Sequence, residues 1–352
     1  MLLTIVVFLA LLILLILTHE IGHFAAAKMS KVKVEEFGLG LPPRIWGYKY
    51  GETIYSINWI PFGGFTRLLG EEDPSTPGSL ASKSIGARIF VLSAGSLLNI
   101  LLPIILFTVS FMIPHDVTIE NVLIKEVAAG SPAQTAGIEA GDRIVEVNGH
   151  TIKNRADLSY HIQLNLGNDT TMVVMKPDTS QKIVSVTPRW VPPQGQGATG
   201  VMLTASDTTT AVESMPFWQA LPTSVVHSWE ILVLFKNEVM SWFVRSTAPQ
   251  LAGPIAIAQL TGEVIKAGIS PLLEFTALIS INLGIFNLLP IPGLDGGRLV
   301  FVLLEWVRRG KRISPQKEGL VHMIGFLAMI LLILVISYFD VARIIRGESL
   351  LP

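Results

Sequence analysis

The sequence contains no cysteine and has few charged residues. Of its 352 residues, 15% are Asp, Glu, Lys or Arg, and the formal net charge is −1. The absence of cysteine excludes disulfides and thiolate metal sites, although it indicates no particular redox compartment. A net charge this small gives no reason to expect nucleic acid or another strongly charged partner. Soluble domains carry roughly 25% charged residues, so the shortage of charge indicates a membrane protein.

Long apolar runs take the place of the missing charge. A helical membrane span needs about 20 predominantly apolar residues, and the segments that approach or exceed this length are 2–24, 87–113, 269–291 and 319–339. The first could be mistaken for a signal peptide. However, no basic residue precedes it, and His-Glu follows where small cleavage-site residues would be expected. We therefore expect four retained spans.

Basic residues near the ends of the spans predict their orientation. The loop after the third span has five Lys or Arg residues within 308–317, and the loop after the first has seven within 28–83. Cytoplasmic loops are enriched in such residues, so both loops are predicted to be cytoplasmic. The N-terminus, the segment 114–268 and the C-terminus are then extracytoplasmic. A fifth candidate, 217–244, carries charges that are costly at the bilayer centre, and it is predicted to be an amphipathic helix at the membrane surface.

One segment outside the spans is predicted to be a soluble module. Residues 127–149 combine a strand, a Gly-Ser-Pro-Ala turn into a short helix, a Gly-Ile-x-x-Gly-Asp turn and a second strand. A helix at 157–166 and strands at 170–175 and 182–187 are expected to follow. This pattern resembles a PDZ domain over 117–200. The resemblance implies a groove that accepts a peptide ligand as an added strand.

The predicted fold is therefore a polytopic α-helical membrane protein with four transmembrane helices, a cytoplasmic membrane-associated β-hairpin and an extracytoplasmic PDZ (α+β) domain. The hairpin is expected from 44–50 and 53–60, followed by a break at 61–64 and a loop over 71–84. The predicted segments are a first span at 1–27, a cytoplasmic loop at 28–84, a second span at 85–113, the PDZ domain at 117–200, a linker with the amphipathic helix at 201–268, a third span at 269–306, a basic cytoplasmic loop at 307–318 and a fourth span at 319–340.

The end of the first span carries the motif His19-Glu20-Ile21-Gly22-His23. On a helix, this spacing puts both imidazoles on one face, where they can share a zinc ion, with the intervening Glu20 as general base. The motif alone is a weak signal, because two histidines at a helix end in the headgroup region would look the same. A zinc site of this kind also needs a third protein ligand.

Two candidates for the third ligand follow from the sequence. Glu35 and Glu36 could serve if the helix turned back, but the β-branched residues before them suggest that the helix has already ended. Asp295 is favoured, because it lies in an apolar break (287–298) rich in Pro and Gly, where a carboxylate at membrane depth indicates a functional site. The charge-based topology places Asp295 on the same side of the membrane as the histidines. A fifth span would separate them by about 30 Å.

Together, HEIGH in the first span, the PDZ pattern and NLLPIPGLDGGRL in a later span resemble the site-2 protease family of intramembrane zinc metalloproteases, and most closely its bacterial regulator-of-sigma-E group. The resemblance extends to the segments 63–71, 94–99 and 253–255. It implies that His19, His23 and Asp295 bind Zn²⁺ and that Glu20 is the catalytic acid and base. Two features depart from the group: Ser96 stands where many members have Pro, and only one PDZ domain is evident.

The resemblance implies an enzyme of the bacterial inner membrane that hydrolyses peptide bonds within transmembrane segments of single-span proteins, such as anti-sigma factors or remnant signal peptides. Such substrates must unwind, and the hairpin with its neighbouring stretch could hold them by strand addition. The expected substrate-binding residues are Gly63, Gly64, Phe65 and, by the resemblance, Asn287. Asn99 is expected to make a hydrogen bond between helices, and His322 is expected to be a packed or interfacial histidine rather than a ligand. An inactive PDZ scaffold and a metal-binding transporter remain alternative classes.

Overall fold

The computed structural model describes residues 2–71, 75–245 and 253–346. Its helices are α1 (Leu2–Met29), α2 (Ile85–Met112), α3 (Pro132–Thr135), α4 (Arg155–Leu164), α5 (Phe217–Arg245), α6 (Pro254–Ala267), α7 (Ile269–Leu288), α8 (Asp295–Val307) and α9 (Pro315–Ile345). Its strands are β1 (Val34–Tyr50), β2 (Thr53–Leu68), β3 (His115–Val127), β4 (Arg143–Val147), β5 (His150–Thr151), β6 (Thr170–Met175), β7 (Gln181–Val186) and β8 (Val201–Glu213). The chain forms two compact units, one of Met1–Ser110 with Leu251–Pro352 and one of Phe111–Gln250.

Within the described ranges, four helices are long and apolar enough to cross a bilayer: α1, α2, α7 and α9. The predicted number of candidate spans is confirmed, and α5 is not among them. The third span (269–306) is interrupted within the break that the sequence predicts at 287–298. Helix α7 ends at Leu288, and α8 begins at Asp295. Two prolines within 289–294 remove backbone donors and restrict the preceding residues, so the helix cannot continue through this connection.

Small residues bring α1, α2 and α7 into close contact. A Cβ atom on Gly22 of α1 would lie 2.5 Å from the carbonyl oxygen of Ala94 in α2. A Cβ atom on Gly284 of α7 would lie 2.8 Å from the carbonyl oxygen of Ser96. Apolar helices in a membrane associate through close backbone approach at such residues. The two glycines therefore allow α2 to lie against both neighbours.

Strands β1 and β2 form a separate antiparallel sheet in which β1 pairs with two parts of β2. Residues 44–50 pair with 53–58, so the predicted hairpin is confirmed. Residues 36–39 pair with both 54–57 and 64–67. The prediction of a break at 61–64 was wrong, because β2 continues through this stretch to Leu68. Before it, residues 53–58 pair with 44–50 of β1, and after it residues 64–68 pair with 34–39 of β1. Of the predicted loop 71–84, residues 72–74 lie outside the described ranges.

The second unit contains a six-stranded sheet in the order β7-β6-β4-β3-β8, with β5 paired to β4. Its apolar core includes Val122, Ile144, Leu158, Met172 and Val174. The observed α3, α4, β4, β6 and β7 agree with the elements predicted between 127 and 187. Side chains cap both short helices: Ser131 accepts a hydrogen bond from the first turn of α3, and Asn154 does so for α4, which satisfies otherwise unpaired amides.

Two elements lie where the sequence predicted only a linker. Strand β8 pairs antiparallel with β3 from His115–Glu213 to Val127–Val201, so the sheet extends beyond the predicted boundary at residue 200. Helix α6 begins with Gly253 as N-cap and Pro254 at its first position, and Gly268 follows its end. Pro at the start and Gly after the end are typical helix boundaries. Residues 246–252 of the predicted linker lie outside the described ranges.

Candidate metal centre

Two histidines of α1 and the first residue of α8 meet at one point. His19 Nε2 and His23 Nε2 lie 3.1 Å apart, and Asp295 Oδ2 lies 3.0 Å from the first and 3.1 Å from the second. The helical spacing of α1 puts the two imidazoles on one face. The break between α7 and α8 brings the carboxylate to them, although 272 residues separate Asp295 from His23 in sequence.

The three converging atoms suit a zinc ion. Two imidazole nitrogens and a carboxylate oxygen are ligands that zinc accepts, and ligands about 2.0–2.2 Å from a tetrahedral zinc lie about 3.3–3.6 Å from one another. The side chains are only 12%, 11% and 18% exposed for His19, His23 and Asp295, respectively. No other group of three metal-ligating side chains of this kind occurs in the part of the chain that the structure describes.

The structure does not support Glu35 or Glu36 as the third metal ligand. Glu35 and Glu36 both lie in β1 rather than on a continuation of α1. The Glu36 carboxylate is buried and forms two ion pairs. Its Oε1 lies 2.6 Å from Nη2 of Arg44, and its Oε2 lies 3.4 Å from Nη1 of Arg67. Glu36 is therefore occupied within the sheet.

A backbone carbonyl of α2 sets the tautomer of His23. His23 Nδ1 lies 2.8 Å from the carbonyl oxygen of Val91. Since a carbonyl can only accept, Nδ1 carries the hydrogen, and Nε2 keeps its lone pair for a metal. Such a second hydrogen bond also fixes the orientation of a ligating ring. The sequence offered no signal for Val91, because the contact is made by its backbone.

Gly95 of α2 forms one wall of the candidate centre. A Cβ atom built on Gly95 would lie 2.4 Å from His23 Nε2 and 2.9 Å from His19 Cε1. Cβ atoms essentially never approach other atoms closer than 3.0 Å. Only glycine therefore leaves room for both imidazoles at this position. Gly95 lies in the segment 94–99 to which the family resemblance extends, but the sequence did not predict its contact with the imidazoles.

Strand β2 positions Glu20 beside the two histidines. The Thr66 hydroxyl lies 2.7 Å from Glu20 Oε2 and 3.1 Å from the Glu20 carbonyl oxygen. It has a single hydrogen to donate, and the shorter contact is to the carboxylate. A Cβ atom on Gly64 would lie 2.8 Å from Cγ2 of Ile16 and 3.0 Å from Cγ of Glu20, so glycine is needed for β2 to pass this close to α1. Sequence reasoning missed Thr66.

These residues line a cleft of about 470 Å³. Its wall includes the three converging side chains, Glu20, the segment 64–68 of β2 and residues 293–295. Of the predicted substrate-binding residues, Gly64 and Phe65 line the cleft. Gly63 is adjacent in β2, with a φ of +120°. Asn287 lies in the last turn of α7, is half-buried, and is not among the residues that line the cleft.

Comparison with known proteins gives the family. The family model described as peptidase family M50 matches residues 7–332. The chain belongs to peptidase family M50. The match covers both ends of the candidate centre, α1 and α8. Members of this family are zinc-dependent, and the protein is a zinc metalloprotease of the site-2 type.

Individual relatives of the protease match nearly the whole length of the chain. A protein of Clostridium acetobutylicum, whose name assigns it provisionally to the zinc metalloproteases, is 34% identical over 93% of this chain and 94% of its own. The regulator of sigma-W protease RasP of Bacillus subtilis is 27% identical over 97% of this chain and 99% of its own. Zinc metalloprotease RasP of Geobacillus kaustophilus is 27% identical over 94% and 95%, respectively. With the four apolar helices, these relatives indicate a location in a bacterial membrane.

Proposed function

We propose that the protease cleaves peptide bonds within the transmembrane segments of single-span membrane proteins. His19, His23 and Asp295 are its zinc ligands, and Glu20 is its general base. One observation carries the proposal. A buried His-His-Asp cluster, with Glu20 beside it, lies near the end of a 28-residue apolar helix and is completed by a break in a second apolar region. Hydrolytic groups at such a position serve a substrate that enters from the bilayer.

Each side chain of the cluster has a role that follows from its position. Zinc held there supplies Lewis acidity, which lowers the pKa of water and polarises the scissile carbonyl. Glu20 removes a proton from the attacking water and delivers it to the leaving amine. Thr66 holds Oε2 of Glu20, so Oε1 remains available to take the proton. Val91 keeps the His23 ring oriented through its backbone carbonyl.

The substrate binds in an extended conformation along β2. A helix hides its carbonyl groups in internal hydrogen bonds, so the segment to be cut has to unwind first. Residues 64–68 pair with 34–39 of β1 on one side and face the cleft with the other. Gly63, Gly64 and Phe65 then contact the backbone of the added strand. Asn287, which makes no side-chain hydrogen bond within the described ranges, is assigned to the substrate backbone further along α7.

The hairpin that precedes this edge is associated with the membrane. Large apolar and aromatic side chains are exposed near its turn, among them Ile45, Trp46, Tyr48 and Trp59. Exposed patches of this kind mark interaction surfaces, and aromatic side chains favour the membrane interface. The hairpin lies on the cytoplasmic side, since the basic loops set the orientation.

The second unit is assigned as a single extracytoplasmic PDZ domain. The order of strands and helices from β3 to β7 supports this assignment, and β8 is an edge strand of the sheet, as an acceptor of an added peptide must be. The domain acts as a size or terminus filter for substrates; the alternative is a domain that binds a peptide and recruits a partner without limiting access. Helix α5 lies on the outer membrane surface. It buries small and polar residues such as Ala220 and Ser224 and exposes Trp218 and Trp229, which suits an interfacial helix.

Cleavage by the purified full-length protein tests this function. The substrate is a single-span protein reconstituted with the protease, and mass spectrometry maps the cut bond. Glu20→Gln should keep zinc and lower the cleavage rate by about 10²–10⁴-fold, the usual contribution of a general base. Asp295→Ala should lose zinc, whereas Glu263→Gln on the exposed face of α6 should behave as the wild type.

Three outcomes would contradict the proposal. Equal cleavage by the wild type and Glu20→Gln would exclude Glu20 as general base. Zinc retained by Asp295→Ala would exclude the third ligand. A cut outside the membrane-spanning part of the substrate would exclude intramembrane cleavage. An absence of cleavage by the wild type, with peptide binding to the second unit, would favour the alternative of a PDZ scaffold.

A further inference from the structure

The segment that carries Asp295 is a short connection with little support of its own. Residues 289–294 join α7 to α8. Two backbone hydrogen bonds lie within it, from Ile291 to Leu289 and from Leu294 to Ile291. Leu294, the N-cap residue of α8, makes no side-chain cap. Apart from the close approach of Gly296 and Gly297 in α8 to the carbonyl groups of Leu289 and Ile291, the position of Asp295 therefore depends on what contacts this connection from other helices.

Helix α9 lies directly against the connection. A Cβ atom on Gly325 of α9 would lie 2.1 Å from the carbonyl oxygen of Pro292, and one on Gly293 would lie 2.9 Å from the backbone nitrogen of Phe326. Gly293 also has a φ of +97°, which favours glycine. The two glycines thus let the backbones of α9 and the connection touch, and this brings the side chains of α9 within reach of Gly293.

His322 uses this approach to make a hydrogen bond. The Gly293 N–H donates to His322 Nδ1 at 3.1 Å. Because an amide can only donate, Nδ1 carries no hydrogen, and the imidazole is neutral with its hydrogen on Nε2. His322 Nε2 is buried without a hydrogen-bond partner in the described ranges, and the Phe301 ring lies 5.3 Å away, centroid to centroid. The ring thus makes one hydrogen bond in the described ranges, as an acceptor for Gly293.

We propose that His322 is a positioning residue of the metal centre, acting through Gly293 on the segment that delivers Asp295 to the two histidines. The inference rests on the proposed ligand set. His19 and His23 keep their spacing through α1 alone, whereas Asp295 comes from a separate element. Without the acceptor, the Gly293 amide loses its partner, and the connection shifts to satisfy it elsewhere. Partners that orient a metal site typically change affinity tenfold or more, so we expect zinc affinity to fall about tenfold.

Three substitutions at this position separate the hydrogen bond from packing. His322→Asn places an amide oxygen close to the position of Nδ1, and His322→Gln places it near the position of Nε2. His322→Leu has no acceptor. Met323→Leu, at an exposed position of the same helix, is the matched control. Zinc affinity is measured by chelator competition on the metal-free full-length protein in detergent, and amide hydrogen exchange is followed around Gly293.

Leu and Gln at position 322 should weaken zinc binding about tenfold and speed exchange at Gly293, whereas Asn should restore both to within about twofold of the wild type. Wild-type affinity in His322→Leu, or an Asn variant as weak as Leu, would overturn the inference. If the Leu variant does not fold, the comparison of Asn with Gln carries the test. Asp295→Ala in the same titration separates the two proposals, since zinc retained there contradicts the ligand set instead.

Discussion

Replacing Gly95 by alanine should lower zinc affinity by at least about 100-fold while leaving α2 intact. The added Cβ would lie 2.4 Å from His23 Nε2, and ordinary van der Waals contact begins at about 3.4 Å. Alanine favours a helix over glycine by about 1 kcal/mol, so the substitution does not weaken α2 itself. The atoms in the way belong to the His23 and His19 side chains rather than to the backbone, and the rings therefore have to move.

The size of this displacement decides the outcome. From 2.4 Å to ordinary contact, the His23 nitrogen has to move by about 1 Å, whereas zinc sites keep their ligand distances to within about 0.2 Å. The same movement lengthens the hydrogen bond of 2.8 Å from His23 Nδ1 to the Val91 carbonyl. Losing a partner that only orients a ligand costs about 10–100-fold in metal affinity, so displacing the ligand itself should cost at least about 100-fold.

The assay is zinc affinity by chelator competition, followed by cleavage of a single-span substrate. Gly86→Ala is the matched control, because Gly86 lies in the same helix and a Cβ atom there meets nothing within 4 Å. It should bind zinc and cleave as the wild type does. Wild-type zinc affinity in Gly95→Ala, with the helix content of the protein unchanged by circular dichroism, would refute the placement of α2 against the two histidines.

Three further predictions concern other contacts. Thr66→Val should lower kcat about tenfold at unchanged KM, because a hydrogen bond to a charged group contributes about 1.5 kcal/mol. Glu305→Ala should lower the free energy of unfolding by about 3 kcal/mol, since it leaves the buried Arg88 without its counter-charge. The backbone N–H and the guanidinium of Arg155 hold the pKa of the Glu120 carboxyl below its usual 4.5. The free energy of unfolding that Glu120 contributes is therefore complete above about pH 4.5 and is lost as the pH falls through the lowered pKa. The Glu120→Gln protein should lose less stability than the wild type when the pH is lowered.

A separate measurement tests each of these three predictions. Thr66→Ser should recover the kcat lost in Thr66→Val, and a change in KM alone would argue for a structural role. For Glu305→Ala, thermal unfolding in detergent is the measurement, and an unchanged midpoint would contradict the buried ion pair. For Glu120, unfolding of both proteins is compared between pH 7 and pH 3. A stability difference that stays constant over this range would contradict the lowered pKa.

Local patterns predicted much of the fold and of the candidate site. The spans follow from the length of apolar runs, and the spacing of His19 and His23 on one helix face follows from 3.6 residues per turn. The break before Asp295 follows from Pro and Gly. Strand β8 was missed because its middle part, 204–210, is largely polar and the segment has no clear alternation, and pairing with β3 supplies its stability. The switch of partners in β2 was missed because Pro and Gly usually end a strand.

The amino-acid sequence by itself predicted which side chains could form a hydrolytic metal centre and which helices could span a membrane. These properties depend on helical periodicity, apolar length and charge, which act over one or two turns or one span. Only the tertiary structure decided how the centre is completed. Gly95 makes room for the imidazoles, Thr66 holds the Glu20 carboxylate, and His322 contacts the connection before Asp295. These contacts join residues that are far apart in the chain and arise from close packing between elements. Local sequence patterns therefore do not predict them.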